Sequence, residues 1–293
     1  MRFKFSNKIK HTLFTKDFTP ESVYILGLLW ADGHINKKSN SISIECIRDD
    51  IDFFYSVFKK TGEYNLYYRH RKNRKEQGVI NCSSYEFSNF LKENNYMEKS
   101  LLSPNKILSK IPENLIHYFF LGWSDGDGCF YHNTKKTLIQ FIISGSYEQD
   151  WSSLTNICEK IKINYKIDRF ITNKNHKYSR FLIHRNEDIL NFGNFIYSGK
   201  NLGLPRKFEK FFEIKKYIVE KQNIRFQCLN KEGEIINEFD SLKSASDWIA
   251  RGRYVGGSIN DSIVGRQPTA YGYTWKKIKT VLPPIHQFES QNQ

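Results

Sequence analysis

Two short apolar stretches repeat one pattern, and this repeat constrains the fold more than any other feature. Tyr24–Gly33 reads Tyr-Ile-Leu-Gly-Leu-Leu-Trp-Ala-Asp-Gly, and Tyr118–Gly128 reads Tyr-Phe-Phe-Leu-Gly-Trp-Ser-Asp-Gly-Asp-Gly. Each is an apolar, helix-like run with a glycine in its middle and an Asp-Gly step at its end. The repeat predicts a duplicated chain whose halves pair and bring their carboxylates together.

Aligned on that ending, Gly27 matches Gly122 and Asp32 matches Asp127. A glycine inside a helix costs about 1 kcal/mol relative to alanine. Tolerated packing would be one explanation. The sharper hypothesis is that two helices cross here with their backbones nearly touching, which places Asp32 beside Asp127. Two close carboxylates repel unless a cation lies between them, and Mg²⁺ suits a site with few protein oxygens, water and phosphate as ligands.

The charge balance indicates a polyanionic partner. The 293 residues include 45 Lys and Arg against 31 Asp and Glu, a formal net charge of +14. Such a surplus favours nucleic acid, so the carboxylate pair suggests phosphodiester hydrolysis. We expect no membrane partner and an intracellular, cytoplasmic location, because neither a membrane-spanning apolar run nor a secretion signal is found. The five cysteines form no Cys-x-x-Cys pair, which disfavours thiolate zinc sites.

Hydrophobic periodicity predicts an α+β fold with the order α-β-β-α-β-β-α in each of two pseudo-symmetric halves. We expect antiparallel sheets with concave, DNA-binding faces. A small C-terminal module should follow, built from a β-hairpin and two helices. The predicted segments are a basic N-terminal arm at 1–16, a first half at 17–112, a second half at 113–220, an appended DNA-binding module at 221–280 and a flexible tail at 281–293.

Both motif copies resemble the LAGLIDADG motif of homing endonucleases, in the single-chain form with two repeats. The second copy is the closer match, since the first has Trp30 where an acid is usual at the sixth position. The resemblance covers roughly residues 18–215. It implies that Asp32 and Asp127 are the metal ligands and catalytic acids, with Mg²⁺ or Mn²⁺ as cofactor. It also implies a monomer that makes double-strand breaks with short 3′ overhangs at a long, asymmetric DNA site.

Other site residues follow from the same resemblance. A polar residue at the end of the second strand often positions water in the family, and alignment places Arg48 there in the first half and Gly145 in the second. Because glycine has no polar side chain, the two halves should differ in how they position this water. A basic residue after the last helix of each half supports the scissile phosphate, which indicates Lys99 and Lys207. Ordinary surface lysines are the alternative.

Basic and amide-rich segments in matching places of the two halves are predicted to contact DNA. Each lies between two predicted strands, and a solvated turn is the alternative for either. The expected contacts are Tyr67, Arg69, Arg71, Lys72, Arg74 and Lys75 in the first half, and Arg169, Thr172, Lys174, Lys177 and Arg180 in the second. Tyr67, Arg69, Arg169 and Thr172 could read bases from the sheet face.

The C-terminal segment resembles the helix-turn-helix-like modules appended to homing nucleases. The resemblance rests on Phe239–Trp248, Ser258–Gly265 and Tyr271–Lys277. It implies that the second helix approaches DNA through Ser258 and Asn260, with Arg266 nearby. Arg251 and Arg253 are expected on phosphates. A structural cap with a basic surface is the alternative.

Two other functions fit the same scaffold. One is an intron RNA maturase, with intron RNA as partner; the presence of both acids and of a DNA-type module disfavours it. The other is a non-catalytic DNA-binding regulator, which loss of a motif acid would have favoured. The sequence does not reveal the target, the host or an intron.

Overall fold

The computed structural model describes residues 9–36, 38–70, 75–135, 138–199, 202–250 and 253–279. It divides into two compact units, one ending at Ile214 and the other beginning at Lys215. Part of the predicted arm, the predicted tail and four predicted DNA contacts lie outside the described residues, namely Arg71, Lys72, Arg74 and Arg251. No helix among the described residues is both long and apolar enough to cross a bilayer.

The first half of unit one contains an αββαββα order flanked by two short helices. Its four strands form an antiparallel sheet in the order β1-β2-β4-β3. The elements are α1 (Thr12–Thr15), α2 (Pro20–Asp32), β1 (Gly33–Asn36), β2 (Ser41–Ile47), α3 (Arg48–Phe58), β3 (Asn65–Arg69), β4 (Gln77–Ser83), α4 (Tyr85–Glu93) and α5 (Asn105–Leu108).

The second half repeats this order and adds a long helix. Its antiparallel sheet has the equivalent order β5-β6-β8-β7. The elements are α6 (Ile116–Asp127), β5 (Gly128–Asn133), β6 (Leu138–Ser146), α7 (Ser152–Lys160), β7 (Lys166–Ile171), β8 (Lys177–Ile183), α8 (Asn186–Ile196) and α9 (Pro205–Gln222). The predicted α+β class and the two αββαββα halves are confirmed.

The start of α2 is set by local sequence. Thr19 and Ser22 form a reciprocal capping box, in which each side-chain oxygen accepts a hydrogen bond from the other residue's backbone amide at 3.2 and 2.9 Å. Pro20 takes the first helical position, where its missing amide hydrogen costs nothing. At the other end Gly33 turns directly into an extended conformation. The helix therefore ends at Asp32, directly before the first residue of β1.

Helices α2 and α6 pack backbone against backbone at the two motif glycines. A methyl group at Gly27 would collide with the carbonyl oxygen of Phe119, and one at Gly122 would collide with the carbonyl oxygen of Tyr24. The motif side chains around the crossing are buried in the core. The helix crossing predicted from the glycines is therefore present, and each glycine is required by the close approach of the α2 and α6 backbones.

Helix α9 was missed in the sequence analysis. Pro205 at its start and Phe211, Ile214 and Ile218 at three- and four-residue spacing are the signals that predict such a helix. The division between the units falls inside this helix, after Ile214, whereas the second half was expected to end at residue 220.

The second unit is a small module with its own core. Its elements are β9 (Ile224–Leu229), β10 (Ile235–Phe239), α10 (Leu242–Ile249), α11 (Gly256–Ile263) and β11 (Thr274–Lys279). The predicted hairpin is extended by β11, which pairs with β9 to give the order β10-β9-β11. Trp275, Phe239 and Ile259 are at the centre of the core.

Candidate metal and nucleic-acid site

The two motif carboxylates lie at equivalent ends of the crossed helices. Asp32 is the last residue of α2 and Asp127 the last of α6. Asp32 Oδ2 lies 3.3 Å from the position that a Cβ at Gly126 would occupy, so the first carboxylate touches the second motif. Burial raises the pKa of Asp32, and burial together with the charge of Asp32 raises the pKa of Asp127 to about 6. The site holds two mutually repelling carboxylates.

Two half-buried lysines hold the helix ends beside these carboxylates. Lys99 Nζ donates to the carbonyl oxygens of Leu29 at 3.1 Å and Ala31 at 2.6 Å. Burial lowers the pKa of Lys99 to about 8, although Asp127 and Asp32 oppose the shift. A lysine at the end of a helix compensates the partial negative charge of its last carbonyls.

Lys207 takes the equivalent place in the second half. Its Nζ donates to carbonyl oxygens at the end of α6 and the start of β5. The partners are Ser124 at 2.8 Å, Asp125 at 2.7 Å, Gly126 at 3.5 Å and Gly128 at 2.8 Å. Burial lowers the pKa of Lys207. Both lysines predicted for the site are thus next to the carboxylates, and neither is an ordinary surface lysine.

Each lysine segment is also held by a residue from the opposite half. Asp50, on α3, accepts two hydrogen bonds from Arg206, the neighbour of Lys207. Gln149, which follows β6, donates its amide to the carbonyl oxygens of Lys99 at 3.3 Å and Leu102 at 3.2 Å. The relative position of the halves and the position of the lysines are therefore coupled.

The predicted equivalence of Arg48 and Gly145 needs correction. Strand pairing places Gly33 opposite Ile44 and Gly128 opposite Ile143. The next residues, Glu45 and Ser144, are the ones that match. Glu45 lines a cavity with Asp32, and Ser144 lines a cavity of about 160 Å³ with Asp127.

Arg48 itself is engaged elsewhere. Its guanidinium stacks 3.8 Å from the centre of the Tyr68 ring and forms an ion pair with Glu76 at 3.8 Å. The cations that lower the pKa of Asp32 are Lys99 and Lys207. Sequence reasoning missed Glu45 and Ser144, and the alternation of β2 and β6 behind the Asp-Gly steps is the signal that could have found them.

The sixth motif position differs between the halves in structure as well as in sequence. Asp125 accepts hydrogen bonds from the Tyr24 hydroxyl and the Leu204 amide, both at 2.7 Å, and thereby fixes the entry to α9. Trp30 instead packs edge-on against Tyr96, with ring centres 6.0 Å apart. The acid in this position is an anchor for the segment that carries Lys207.

The outer face of the first sheet is concave and polar. A cavity of about 490 Å³ lies over it, and its lining includes Asp32 together with residues of all four strands. Two predicted DNA contacts, Tyr67 and Arg69, lie on this face. Arg69 donates to the Tyr67 hydroxyl at 2.8 Å and forms an ion pair with Glu45 at 3.2 Å.

The second sheet presents a different set of side chains. Arg180 is paired with Ser144 and stacks 4.2 Å from the centre of the Phe170 ring, on the same face as Ser144. Arg169 is opposite Ser179 and therefore points to the other face, so it does not share a face with Arg180 as base reading would require. Thr172 lies in the turn after β7, where its hydroxyl accepts a hydrogen bond from the His176 amide.

The remaining predicted contacts lie at accessible positions. Lys75, Lys174 and Lys177 are exposed in unit one, and Arg253, Asn260 and Arg266 are exposed in the appended module. Ser258 is half-buried. Arg266 forms an ion pair with Asp261 at 3.0 Å. These positions are compatible with DNA contact, which stays a prediction.

The donor set fits a hard divalent cation. Across the described residues, no group of three or more His, Cys, Asp or Glu side chains could hold a metal ion. Asp32 and Asp127 would therefore supply the carboxylate oxygens, and water or phosphate the other ligands, as Mg²⁺ prefers.

No protein-family model matches the sequence. No curated protein matches it either.

Solved structures do resemble the fold. The I-LtrWI LAGLIDADG homing endonuclease bound to target DNA is 14% identical, with 68% of this chain and 90% of that chain covered and a TM-score of 0.46. The LAGLIDADG meganuclease I-AabMI bound to uncleaved DNA is 12% identical, covers 70% and 93%, and has a TM-score of 0.44. Full-length DUF199/WhiA from Thermatoga maritima is 17% identical, covers 87% and 75%, and has a TM-score of 0.42.

The likeness to these structures is one of fold. Two αββαββα halves, each opened by a helix that ends on an Asp-Gly step, make up unit one. Unit one thus has paired motifs and two antiparallel half-sheets of equivalent strand order.

Proposed function

We propose that this protein is a divalent-metal-dependent endonuclease that makes double-strand breaks in DNA at a long, asymmetric site. The observation that carries the proposal is the pair of carboxylates at the ends of two touching helices, each beside a half-buried lysine. A chain of net charge +14 supplies the attraction for the polyanion. Mg²⁺ or Mn²⁺ would be the cation, and the protein would act as a monomer because one chain carries both halves of the site.

Asp32 and Asp127 would hold the metal between the two half-sheets. A divalent cation there supplies Lewis-acid chemistry at a phosphodiester. The protein's own side chains would bind the phosphate and orient water. Lys99 uses two of its three ammonium hydrogens on carbonyl oxygens among the described residues, which leaves one for a phosphate oxygen. Glu45 and Ser144 face the two sides of the site and would order water there.

The unequal faces of the two sheets favour an asymmetric target. Arg69 is paired with Glu45 in the first half, whereas Arg180 is stacked on Phe170 in the second. An arginine that is free to make two hydrogen bonds selects guanine, and one bound to a carboxylate is less available. The appended module is present in one copy, which adds to the inequality of the two halves.

The test is cleavage of a plasmid library that carries randomised inserts, with Mg²⁺ and with EDTA. Wild-type protein should linearise a subset of plasmids in Mg²⁺, and sequencing of the ends would give the target. Asp32→Asn and Asp127→Asn should abolish cleavage, and Asp49→Asn, at an exposed position on α3, should not.

Other outcomes would support the alternatives. Specific duplex binding by wild-type protein, without cleavage in Mg²⁺ or in Mn²⁺, would favour the non-catalytic regulator. Tight binding of structured RNA in the absence of any DNA target would favour the maturase. Cleavage that survives both aspartate substitutions would show that the active site lies elsewhere.

A further inference from the structure

A cationic cavity lies next to the second motif and shares Lys207 with the site described above. Its volume is about 380 Å³, and its lining residues are Gly128, Cys129, Phe130, Arg206, Lys207 and Lys210. This lining contains three cationic side chains and no carboxylate. Arg206 and Lys207 also stand in the first turn of α9, where the helix dipole opposes positive charge. A bound anion would offset both the mutual repulsion of the three cations and their unfavourable interaction with the helix dipole.

Two of the three cations keep hydrogen-bonding capacity for a ligand. Asp50 accepts from Nε and one terminal nitrogen of Arg206, so the guanidinium is fixed in orientation and keeps further hydrogens. The Arg206 side chain is 53% exposed, although Asp50 is buried. Lys210 forms an exposed ion pair with Glu213 at 2.9 Å, which costs little to release. Lys207 is occupied by carbonyl oxygens and would contribute charge only.

The cavity lies at β5, the edge strand of the second sheet, and its lining includes the exposed Cys129 of that strand. Cys129 follows the second Asp-Gly step as His34 follows the first, and His34 lines the cavity with Asp32. Gly128 is the residue after Asp127. An anion held by Arg206 and Lys210 would therefore lie next to the end of the second motif, and Lys207 in the same lining also interacts electrostatically with Asp32.

Among the described residues of the first half, no such cluster stands at the equivalent place. By the correspondence of Lys99 with Lys207, Glu98 takes the place of Arg206 and Leu102 that of Lys210. Two cations in the second half are thus replaced by one acid and one apolar side chain in the first. The electrostatic attraction for the DNA backbone is unequal on the two sides of the site.

We propose that Arg206 and Lys210 form a phosphodiester subsite that binds a backbone phosphate next to the cleavage position in one strand only. The inference rests on the proposed endonuclease function and deepens it. The subsite holds one strand more firmly than the other, so the two strands are cut at different rates. Asp50 acts as a positioning residue, because it fixes the plane of the Arg206 guanidinium.

The experiment compares Lys210→Ala with Lys216→Ala, a control at an exposed lysine on the same helix. The substrate is the target from the plasmid library, with each strand labelled separately. Lys210→Ala should slow cutting of one strand about three- to tenfold more than the other, so that nicked DNA accumulates. Lys216→Ala should leave the ratio of the two rates unchanged. Glu98→Lys should bring the two rates closer together.

A binding measurement keeps the inference testable even if no target is cut. With a 30-base-pair duplex of random sequence in EDTA, Lys210→Ala should reduce the slope of log K against log salt by about 1. Equal slowing of both strands, or a salt slope unchanged from wild type, would overturn the subsite. Failure of wild-type protein to cut any plasmid, with the slope change present, would contradict the nuclease proposal and leave the anion site standing.

Discussion

Asp50 in the first half accepts two hydrogen bonds from Arg206 in the second, with Nε at 2.8 Å from Oδ1 and Nη2 at 2.5 Å from Oδ2. This bidentate ion pair joins α3 to the first turn of α9 across the boundary between the halves. The Asp50 side chain is 6% exposed and that of Arg206 is 53% exposed. Removal of Arg206 and removal of the Asp50 charge should therefore change the stability of the protein by different amounts.

Removal of Arg206 should destabilise the protein more than removal of the Asp50 charge. Arg206→Ala leaves a buried carboxylate unpaired, and we expect a loss of about 3 kcal/mol in the free energy of unfolding. Asp50→Asn leaves a half-exposed guanidinium that water can solvate, with an expected loss of about 1 kcal/mol. Urea unfolding of the full chain measures both, and a double substitution gives the coupling. The reverse order would contradict the burial assigned to Asp50.

Alanine at either motif glycine should be poorly tolerated. The added methyl group meets a backbone carbonyl of the partner helix, which cannot rotate away as a side chain can. We expect Gly27→Ala and Gly122→Ala each to cost at least about 2 kcal/mol of stability. Gly257→Ala, in α11 with no atom within 4 Å of the added methyl group, should be neutral or slightly stabilising. Thermal unfolding distinguishes these outcomes, and equal effects at all three positions would rule out the backbone contact.

The metal-free protein should be less stable at neutral pH than at acid pH because of Asp127. Its pKa is about 6 in the folded protein, against about 3.9 for an unfolded chain. The stabilisation from this group is therefore complete below about pH 4 and is lost as the pH rises through 6.

In EDTA, Asp127→Asn should thus raise stability at pH 7.5 and have no such effect at pH 4; because Asp127 is exposed, solvent screening limits the gain to below about 1 kcal/mol. Mg²⁺ at pH 7.5 should raise the melting temperature of wild type and not that of Asp127→Asn. Asp49→Asn, on the exposed side of α3, is the control. A stabilising effect of Mg²⁺ that persists in Asp127→Asn would place the metal at another site.

Replacement of the two lysines should affect stability unequally. Lys207 donates to three carbonyl oxygens within 2.8 Å, and Lys99 to two within 3.1 Å. Hydrogen bonds from charged groups contribute about 1.5 to 3 kcal/mol each when their partners are buried. Lys207→Met should therefore lower the free energy of unfolding more than Lys99→Met.

Activity should follow a different order from stability. We expect Lys99→Met to reduce cleavage at least about a hundredfold, because Lys99 keeps a hydrogen for phosphate. Cleavage assays on the folded variants test this. Wild-type rates in Lys99→Met would mean that its only role is to cap α2.

The motif and the order of elements could be predicted because they depend on local properties. Hydrophobic periodicity, the Thr19-Pro20 start and the Asp-Gly endings act within a few residues. The paired glycines also revealed a long-range contact, since an interior glycine in an apolar helix has few other uses. Asp32, Asp127, Lys99 and Lys207 were all placed in one site from the sequence.

The predictions that were wrong concern residues whose position in the site depends on strand register. The alignment of Arg48 with Gly145 fails because the strands of the first hairpin are longer in the second half, with 6 residues in β5 against 4 in β1, which shifts every later position. Arg169 and Arg180 are on opposite faces of the sheet, and a shift of one residue reverses a face. Strand pairing, which involves residues far apart in the chain, fixes both.

The duplicated α+β chain, the carboxylate of each half and the net positive charge all follow from the amino-acid sequence. Which residues surround those carboxylates depends on the packing of the folded halves. The Asp50–Arg206 ion pair joins positions 156 residues apart, and Gln149 reaches Lys99 from the other half. No periodicity encodes such contacts, because they depend on how two folded halves pack rather than on the conformation of either chain segment.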